Sequence, residues 1–147
     1  MDLAVFSERL ADLIFETGKI ARDVAPEIGI SKSTIYEYLS GTKMPTLQNL
    51  IKIADFFNCS ADYLFGREEF VNGVTYKQCK AFSERFKEIL AYYKLSRYKL
   101  EKLTGISESV LYYWAKGDKT PSVERIIHVC TLLDCSIDFF IGRTDVP

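Results

Sequence analysis

The sequence has little of what an enzyme, a metal centre or a membrane protein requires. It contains one histidine, His128, and no Ser/His/Asp set, Gly-rich phosphate loop or paired carboxylates suited to a cleft, so no enzymatic activity is expected. No apolar run could span a bilayer and no charged-then-apolar leader begins the chain. We therefore expect no membrane association and predict a cytoplasmic protein.

Cysteines are few, and their placement argues against disulfides and metal. Cys59 and Cys135 stand just ahead of predicted helices and Cys130 lies on an apolar helix face, as buried thiols do in a reducing compartment. His128, Cys130 and Cys135 form the one group that resembles a zinc-ligand set, but they lack a CxxC knuckle. No metal and no cofactor are expected.

The chain also lacks an excess of either charge, since its formal net charge is −1 at pH 7. Residues 1–76 carry 7 Lys+Arg against 11 Asp+Glu, whereas residues 77–147 carry 12 against 9. The second half therefore has the better electrostatics for a phosphate backbone, although neither half is strongly basic.

The sequence does contain an internal repeat, with two copies at a constant offset of 76 residues. The returning segments include Phe6-Ser7-Glu8-Arg9 as Phe82-Ser83-Glu84-Arg85, Gly29-Ile30-Ser31 as Gly105-Ile106-Ser107, and Cys59-Ser60 as Cys135-Ser136. A gapless register between 6–67 and 82–143 indicates two copies of one compact unit. We expect domains at 1–67 and 77–147, each near the lower size limit for a self-sufficient core.

Each copy is predicted to be all-α, with five helices. Apolar residues recur at helical spacing, as in Phe6, Leu10 and Leu13, and no strand-type alternation is sustained. Hydroxyl residues stand where they can cap the third, fourth and fifth helices: Ser31, Thr46 and Ser60, then Ser107, Ser122 and Ser136. Pro26 lies inside the second helix of the first copy, so a kink or a shortened helix is expected there.

Residues 68–76 separate the two copies. Asn72-Gly73 between Phe70-Val71 and Val74-Thr75 is a hairpin signal, but an isolated hairpin is marginal in water. The segment is predicted to be a linker or a small hairpin.

Two short helices joined by a glycine turn are the elements of a helix-turn-helix. The crossing helix needs a small residue four positions before the turn glycine, and Ala25 meets that need. The next helix is predicted to face outward with Lys32, Ser33, Tyr36 and Glu37 and inward with Ile35 and Tyr38. In the second copy the outward set is Glu108, Ser109, Tyr112 and Tyr113, with Leu111 and Trp114 inward.

Three further segments match a known family in order and spacing. They are Gly29-Ile30-Ser31-Lys32-Ser33-Thr34-Ile35, Gly41-Thr42-Lys43-Met44-Pro45-Thr46-Leu47 and Cys59-Ser60-Ala61-Asp62-Tyr63-Leu64-Phe65-Gly66-Arg67. Both copies resemble the lambda-repressor-like, Cro-type helix-turn-helix family. That resemblance implies two tandem five-helix domains that bind double-stranded DNA.

The resemblance also implies which residues contact DNA. Lys32, Ser33, Tyr36 and Glu37 fall at base-edge positions in the major groove, and Ser31, Thr34, Ser40, Thr42 and Lys43 fall near the sugar-phosphate backbone. The second copy offers Ser107, Glu108, Ser109, Tyr112 and Tyr113 on its recognition helix and Lys116 and Lys119 near the backbone.

Three positions depart from the family pattern. The family usually places Gln at the start of helix two to touch a phosphate, where this chain has Ala21 and Arg97; only Arg97 can replace that contact. Glu101 stands where a small residue is wanted, so a looser helix crossing is expected. Glu108 would repel phosphate, although it could accept a hydrogen bond from a cytosine amino group.

The leading hypothesis is a sequence-specific DNA-binding transcriptional repressor, with a homodimer and a regulatory protein as possible partners. Two alternatives stay open. One copy, more readily the second, could be a dimerisation or protein-interaction module, as Glu101, Glu108 and Tyr113 suggest. The chain could also be an antitoxin-like regulator that binds a partner protein and its own promoter.

Overall fold

The computed structural model describes residues 3–147, which form ten helices and no strand. The chain divides into two compact units, the first ending at Thr75 and the second beginning at Tyr76. With five helices in each unit, the predicted all-α class with two five-helix domains is confirmed. None of the described helices combines the length and the apolar character needed to cross a bilayer.

The two units repeat each other helix by helix. The first contains α1 (Leu3–Glu16), α2 (Ala21–Ile28), α3 (Lys32–Leu39), α4 (Leu47–Phe57) and α5 (Ala61–Leu64). The second contains α6 (Phe82–Tyr93), α7 (Arg97–Thr104), α8 (Glu108–Lys116), α9 (Val123–Leu133) and α10 (Ile137–Ile141). From the second helix to the fifth, each begins at the repeat-equivalent residue, so the sequence offset is also an offset in structure.

Aromatic rings fill the centre of both cores. In the first unit Phe6 stacks on Phe65, with ring centroids 5.2 Å apart, and meets Tyr38 edge-on at 5.7 Å. In the second, Trp114 packs edge-on against Phe86 at 5.5 Å. Tyr38 and Trp114 are buried, which confirms that the third helix of each unit turns its apolar side to the core.

Side-chain caps fix where the third, fourth and fifth helices begin. Ser31 accepts a hydrogen bond from the Thr34 N–H, and Ser60 accepts one from the Tyr63 N–H. The other predicted caps bind in the same way: Thr46, Ser107, Ser122 and Ser136. Each satisfies one of the N–H groups that a helix start leaves without an intrahelical partner.

The serine of the repeated Phe-Ser-Glu-Arg segment lies beside the glycine that follows the third helix in each unit. The Ser7 hydroxyl donates to the Tyr38 carbonyl at 2.6 Å, which ties α1 to the end of α3. Gly41 has φ +75°, and a Cβ there would lie 3.3 Å from the Ser7 Oγ. Gly117 has φ +92°, and a Cβ there would lie 3.4 Å from the Ser83 Oγ, an ordinary van der Waals contact.

The arginine of the same segment holds the end of the fifth helix. Arg9 Nη1 donates to the Tyr63 carbonyl at 2.5 Å, and Arg85 Nη2 donates to the Phe139 carbonyl at 2.6 Å. Charged donors bind the carbonyls that a helix end leaves without an intrahelical partner. The arginine of the repeated segment therefore makes the same tertiary contact within each unit.

A buried ion pair closes each unit. Arg67 Nη1 lies 2.7 Å from Asp62 Oδ1, and Arg143 pairs with Asp138 in the same way. The side chain of Arg143 is fully buried, whereas that of Arg67 is 26% exposed. The sequence places both aspartates in the positive first turn of a helix; the structure adds an arginine partner five residues later.

Pro26 does not shorten α2, so a shortened helix is ruled out, whereas the alternative of a kink stays a prediction. The helix spans Ala21–Ile28, the same eight positions as α7 in the second unit. A proline at 26 removes the hydrogen bond to the Arg22 carbonyl. Both residues lie on the exposed face of the helix, where water can take the place of the lost N–H.

Residues 68–76 contain neither helix nor strand, so the hairpin alternative is not present. Arg9 Nη1 donates to the Glu68 carbonyl at 2.8 Å, and Phe70 meets the ring of Tyr63 edge-on at 5.4 Å. The first part of the segment therefore packs on the first unit.

Candidate nucleic-acid interface

In the first unit, α2 and α3 meet at a close turn. Gly29 has φ 89°, and the N–H groups of Gly29 and Ile30 donate to the Ala25 carbonyl at 3.0 and 3.1 Å. The side chain of Ala25 is fully buried. This burial agrees with the small residue predicted at this position.

The recognition helix of the first unit, α3, presents a polar face to solvent. Ile35 is fully buried, while Lys32, Ser33, Tyr36 and Glu37 are exposed. The four predicted base-edge residues therefore share one accessible face.

Hydroxyl groups cluster at the start of α3. Ser31 Oγ lies 2.8 Å from Thr34 Oγ1 and 3.3 Å from Ser33 Oγ. Ser31 is exposed and Thr34 is half-buried. Hydroxyls beside the positive end of a helix suit a phosphate oxygen.

A second polar group follows the end of α3. The Ser40 hydroxyl donates to the Glu37 carbonyl at 2.9 Å and lies 2.9 Å from Thr42 Oγ1. Lys43 Nζ lies 3.9 Å from Glu37 Oε2, with both side chains about half exposed. The structure thus brings the predicted backbone contacts to both ends of the recognition helix.

The second unit has the same helix pair but different chemistry at the turn. Glu101 replaces Ala25, and its Oε2 accepts a hydrogen bond from the Glu108 N–H at 3.2 Å. The carboxylate of Glu101 therefore caps the recognition helix α8 and lies at its positive end. The sequence alone does not indicate this contact, and the looser helix crossing stays a prediction.

Arg97 is also engaged within the second unit. Its Nε lies 4.0 Å from Glu108 Oε1, and its guanidinium lies 5.1 Å from the centroid of the Tyr112 ring. A depression of about 520 Å³ joins Glu101 to five predicted contact residues, namely Ser107, Glu108, Ser109, Tyr112 and Tyr113. These six residues therefore line one shallow, open surface along α8.

Two lysines flank the rings of this face. Lys116 Nζ lies 5.9 Å from the centroid of Tyr112 and 3.5 Å from Asp118 Oδ2. Lys119 Nζ lies 5.1 Å from the centroid of Tyr113, which is exposed. Both lysines are accessible to a phosphate backbone beside α8.

The two recognition faces differ in charge. That of the first unit carries Lys32 and Lys43 with a single carboxylate, Glu37. That of the second carries three cations and three anions: Arg97, Lys116 and Lys119 with Glu101, Glu108 and Asp118. The more basic half of the chain therefore has the more nearly neutral recognition face.

One pair of residues that support the turn was not found from sequence. Lys52 Nζ donates to the Gly29 carbonyl at 3.2 Å, and the repeat-equivalent His128 Nε2 donates to the Thr104 carbonyl at 2.9 Å. The only feature of the sequence that pointed to this role is that positions 52 and 128 are equivalent in the repeat. His128 thus has a structural partner, and residues 3–147 hold no group of three or more histidine, cysteine, aspartate or glutamate side chains suited to a metal.

Comparison with known proteins agrees with this geometry. Residues 18–64 match the family model described as helix-turn-helix, and residues 79–143 match the Cro/C1-type HTH DNA-binding domain. The chain is 45% identical over 60 residues to the cryptic phage CTXphi transcriptional repressor RstR of Vibrio cholerae serotype O1, covering 41% of this chain and 54% of that protein. It is 37% identical over 62 residues to the HTH-type transcriptional regulator AnsR of Bacillus subtilis, covering 42% and 53%.

The chain spans about half the length of the curated relatives it matches. No solved structure matches it significantly.

Proposed function

The chain belongs to the helix-turn-helix family, with a second domain of the Cro/C1 type, and we propose that it is a sequence-specific DNA-binding transcriptional repressor. The observation that carries the proposal is the exposed polar face of α3, backed by buried Ile35 and Tyr38. Such a helix can enter the major groove without unpacking its own domain.

In this mechanism α3 lies in the major groove by its N-terminal end. Lys32 and Ser33 reach base edges first, with Tyr36 and Glu37 one turn further along. Phosphates on one side meet Ser31, Thr34 and the first N–H groups of the helix, and those on the other meet Ser40, Thr42 and Lys43. The phosphate contacts set the position of the helix, and the base contacts set its sequence preference.

The second unit is proposed to bind a second half-site, about 34 Å away along the duplex when the two centres lie one helical turn apart. Arg97, Lys116 and Lys119 meet its backbone, while Glu108, Ser109, Tyr112 and Tyr113 face its bases. Because Lys32 and Glu108 carry opposite charges at equivalent positions, the two half-sites differ in sequence.

Repression follows from occupancy, since a protein that covers promoter DNA excludes polymerase from it. The similarity to a transcriptional repressor of Vibrio cholerae supports this sign of control. A protein of this function acts where the DNA is, in the cytoplasm. Formation of a homodimer would extend the operator to further half-sites.

A second candidate function concerns the second unit alone. Its three carboxylates, one of them on the start of α8, reduce its attraction for phosphate and suit a protein-interaction or dimerisation module. In the antitoxin-like alternative, the chain binds both a partner protein and its own promoter.

The test is selection of bound duplexes from a random pool at physiological salt, using the full chain. Two unlike half-sites would support the proposal for both units. A single half-site would assign the second unit to protein interaction, and the absence of any enriched sequence would contradict DNA recognition by the chain.

The same selection with Lys32→Ala separates base reading from overall charge. We expect that variant to lose the preference in one half-site only. Lys87→Ala is the matched control, because it also removes one exposed lysine, on the outer helix α6, and should leave both half-sites unchanged.

A further inference from the structure

We propose that Glu108 determines base specificity in the second unit by accepting a hydrogen bond from the amino group of a cytosine, and that Arg97 is the positioning residue for its carboxylate. This inference rests on the proposed function, because it names the base read by one of the two recognition helices.

Three contacts place Glu108. Its N–H donates to Glu101 Oε2 at 3.2 Å, so the start of α8 is fixed by a side chain of α7. Its own carboxylate lies 4.0 Å from Arg97 Nε. Arg97 is in turn 5.1 Å from the ring of Tyr112, which sits one turn further along the same face. The side chain of Glu108 stays 50% exposed, so an acceptor oxygen remains available to DNA.

The first unit keeps the tyrosine, as Tyr36, but has none of the three charged side chains at the equivalent positions. Ala21 stands for Arg97, Ala25 for Glu101 and Lys32 for Glu108. The exchange of cation for carboxylate on the recognition helix is therefore accompanied by a guanidinium on the neighbouring helix and by a second carboxylate at the helix start. All three differences fall within one contact network.

The chemistry of the bases distinguishes the two residues. A lysine ammonium only donates, and guanine presents two acceptors, O6 and N7, in the major groove. A carboxylate only accepts, and cytosine presents the N4 amino donor there. The two half-sites should therefore carry guanine facing Lys32 and cytosine facing Glu108.

Arg97 accounts for how a carboxylate can approach DNA. Glu108 and Glu101 bring two carboxylates to the start of α8, and the guanidinium of Arg97 offsets part of that charge, which lowers the repulsion between Glu108 and the flanking phosphates. The same guanidinium can reach a phosphate, as the resemblance implies for its position. Arg97 therefore contributes both a phosphate contact and the orientation of Glu108.

The experiment measures affinity of the full chain for its selected operator, with each of the four bases placed in turn opposite residue 108. Wild-type protein should prefer cytosine by roughly fivefold, the lower end of what a base contact gives. Glu108→Gln should move the preference to adenine, which pairs with an amide, and Glu108→Lys should move it to guanine. In the first unit, Lys32→Glu should move the preference from guanine to cytosine.

Arg97→Ala, which gives the second unit the residue that the first has at position 21, separates positioning from a plain phosphate contact. Loss of a phosphate contact alone lowers affinity equally for all four bases. We expect instead that the cytosine preference falls together with affinity.

The outcomes are distinct. An enriched second half-site whose preferred base is the same in wild type, Glu108→Gln and Glu108→Lys overturns the inference while leaving the proposed function standing. An Arg97→Ala variant with weaker binding and an unchanged cytosine preference overturns the positioning role. Absence of any enriched duplex overturns the proposed function and this inference together.

Discussion

Replacing Lys32 and Lys43 with alanine tests whether the first recognition helix lies against DNA. In the free protein Lys43 is only weakly held, because its partner Glu37 is 3.9 Å away and both side chains are about half exposed. Exposed pairs of this kind contribute about 0–1 kcal/mol, so Lys43 can exchange its carboxylate for a phosphate.

The expected size of the effect follows from counterion release. Each phosphate contact contributes about 0.9 to the slope of log affinity against log salt concentration. A fourfold rise in salt therefore weakens binding by roughly 3.5-fold through the phosphate contact of Lys43 alone. The double variant should bind more weakly at low salt and lose affinity less steeply as salt rises.

The assay is fluorescence anisotropy with a labelled operator, titrated at several salt concentrations between about 50 and about 200 mM, the range over which such slopes are resolved. Lys87→Ala provides the single-charge control and should keep the wild-type slope. A double variant whose slope equals that of wild type would refute the placement of both lysines at the DNA.

Three further predictions concern stability and are measured by chemical denaturation of the full chain. Gly41→Ala should destabilise by about 1–2 kcal/mol, because its φ of +75° is left-handed and the new Cβ would lie 3.3 Å from a hydroxyl of α1; an unchanged midpoint would contradict this. Asp138→Asn should cost about 3 kcal/mol or more, because it leaves the buried guanidinium of Arg143 without its anion; a loss below about 1 kcal/mol would be too small for a buried pair. Hydrogen bonds from Lys80 and Arg85 lower the pKa of Glu88, so its contribution to the free energy of unfolding is present at neutral pH and is lost as pH falls through the folded-state pKa. Glu88→Gln should therefore reduce the loss of stability between neutral and acid pH. A variant that loses stability over this range as steeply as the wild type would contradict this.

Much of the fold follows from local sequence. The caps at Ser31, Ser60 and their repeats bind N–H groups three residues away, so their partners can be read directly from spacing. Pro26 shows the limit of local rules, because the cost of a missing hydrogen bond depends on whether its carbonyl faces water. That exposure is a tertiary property.

The candidate site was predictable in position but not in electrostatics. The spacing of the motif placed Lys32 and Glu108 on the recognition helices, and both are exposed there. The contact between Glu101 and the start of α8, and that between Lys52 and the turn, join different helices through side-chain conformations that spacing does not specify. The positive net charge of residues 77–147 therefore gave a poor guide to the charge of its recognition face.

Chemical protection of guanine N7, an atom that lies in the major groove, tests entry of α3 into that groove most directly. On the selected operator we predict protection in the half-site that faces α3, with loss of that protection in Lys32→Ala and its retention in Lys87→Ala. Tight binding with guanine N7 as reactive as in free DNA would place the protein elsewhere on the duplex and contradict recognition by this helix.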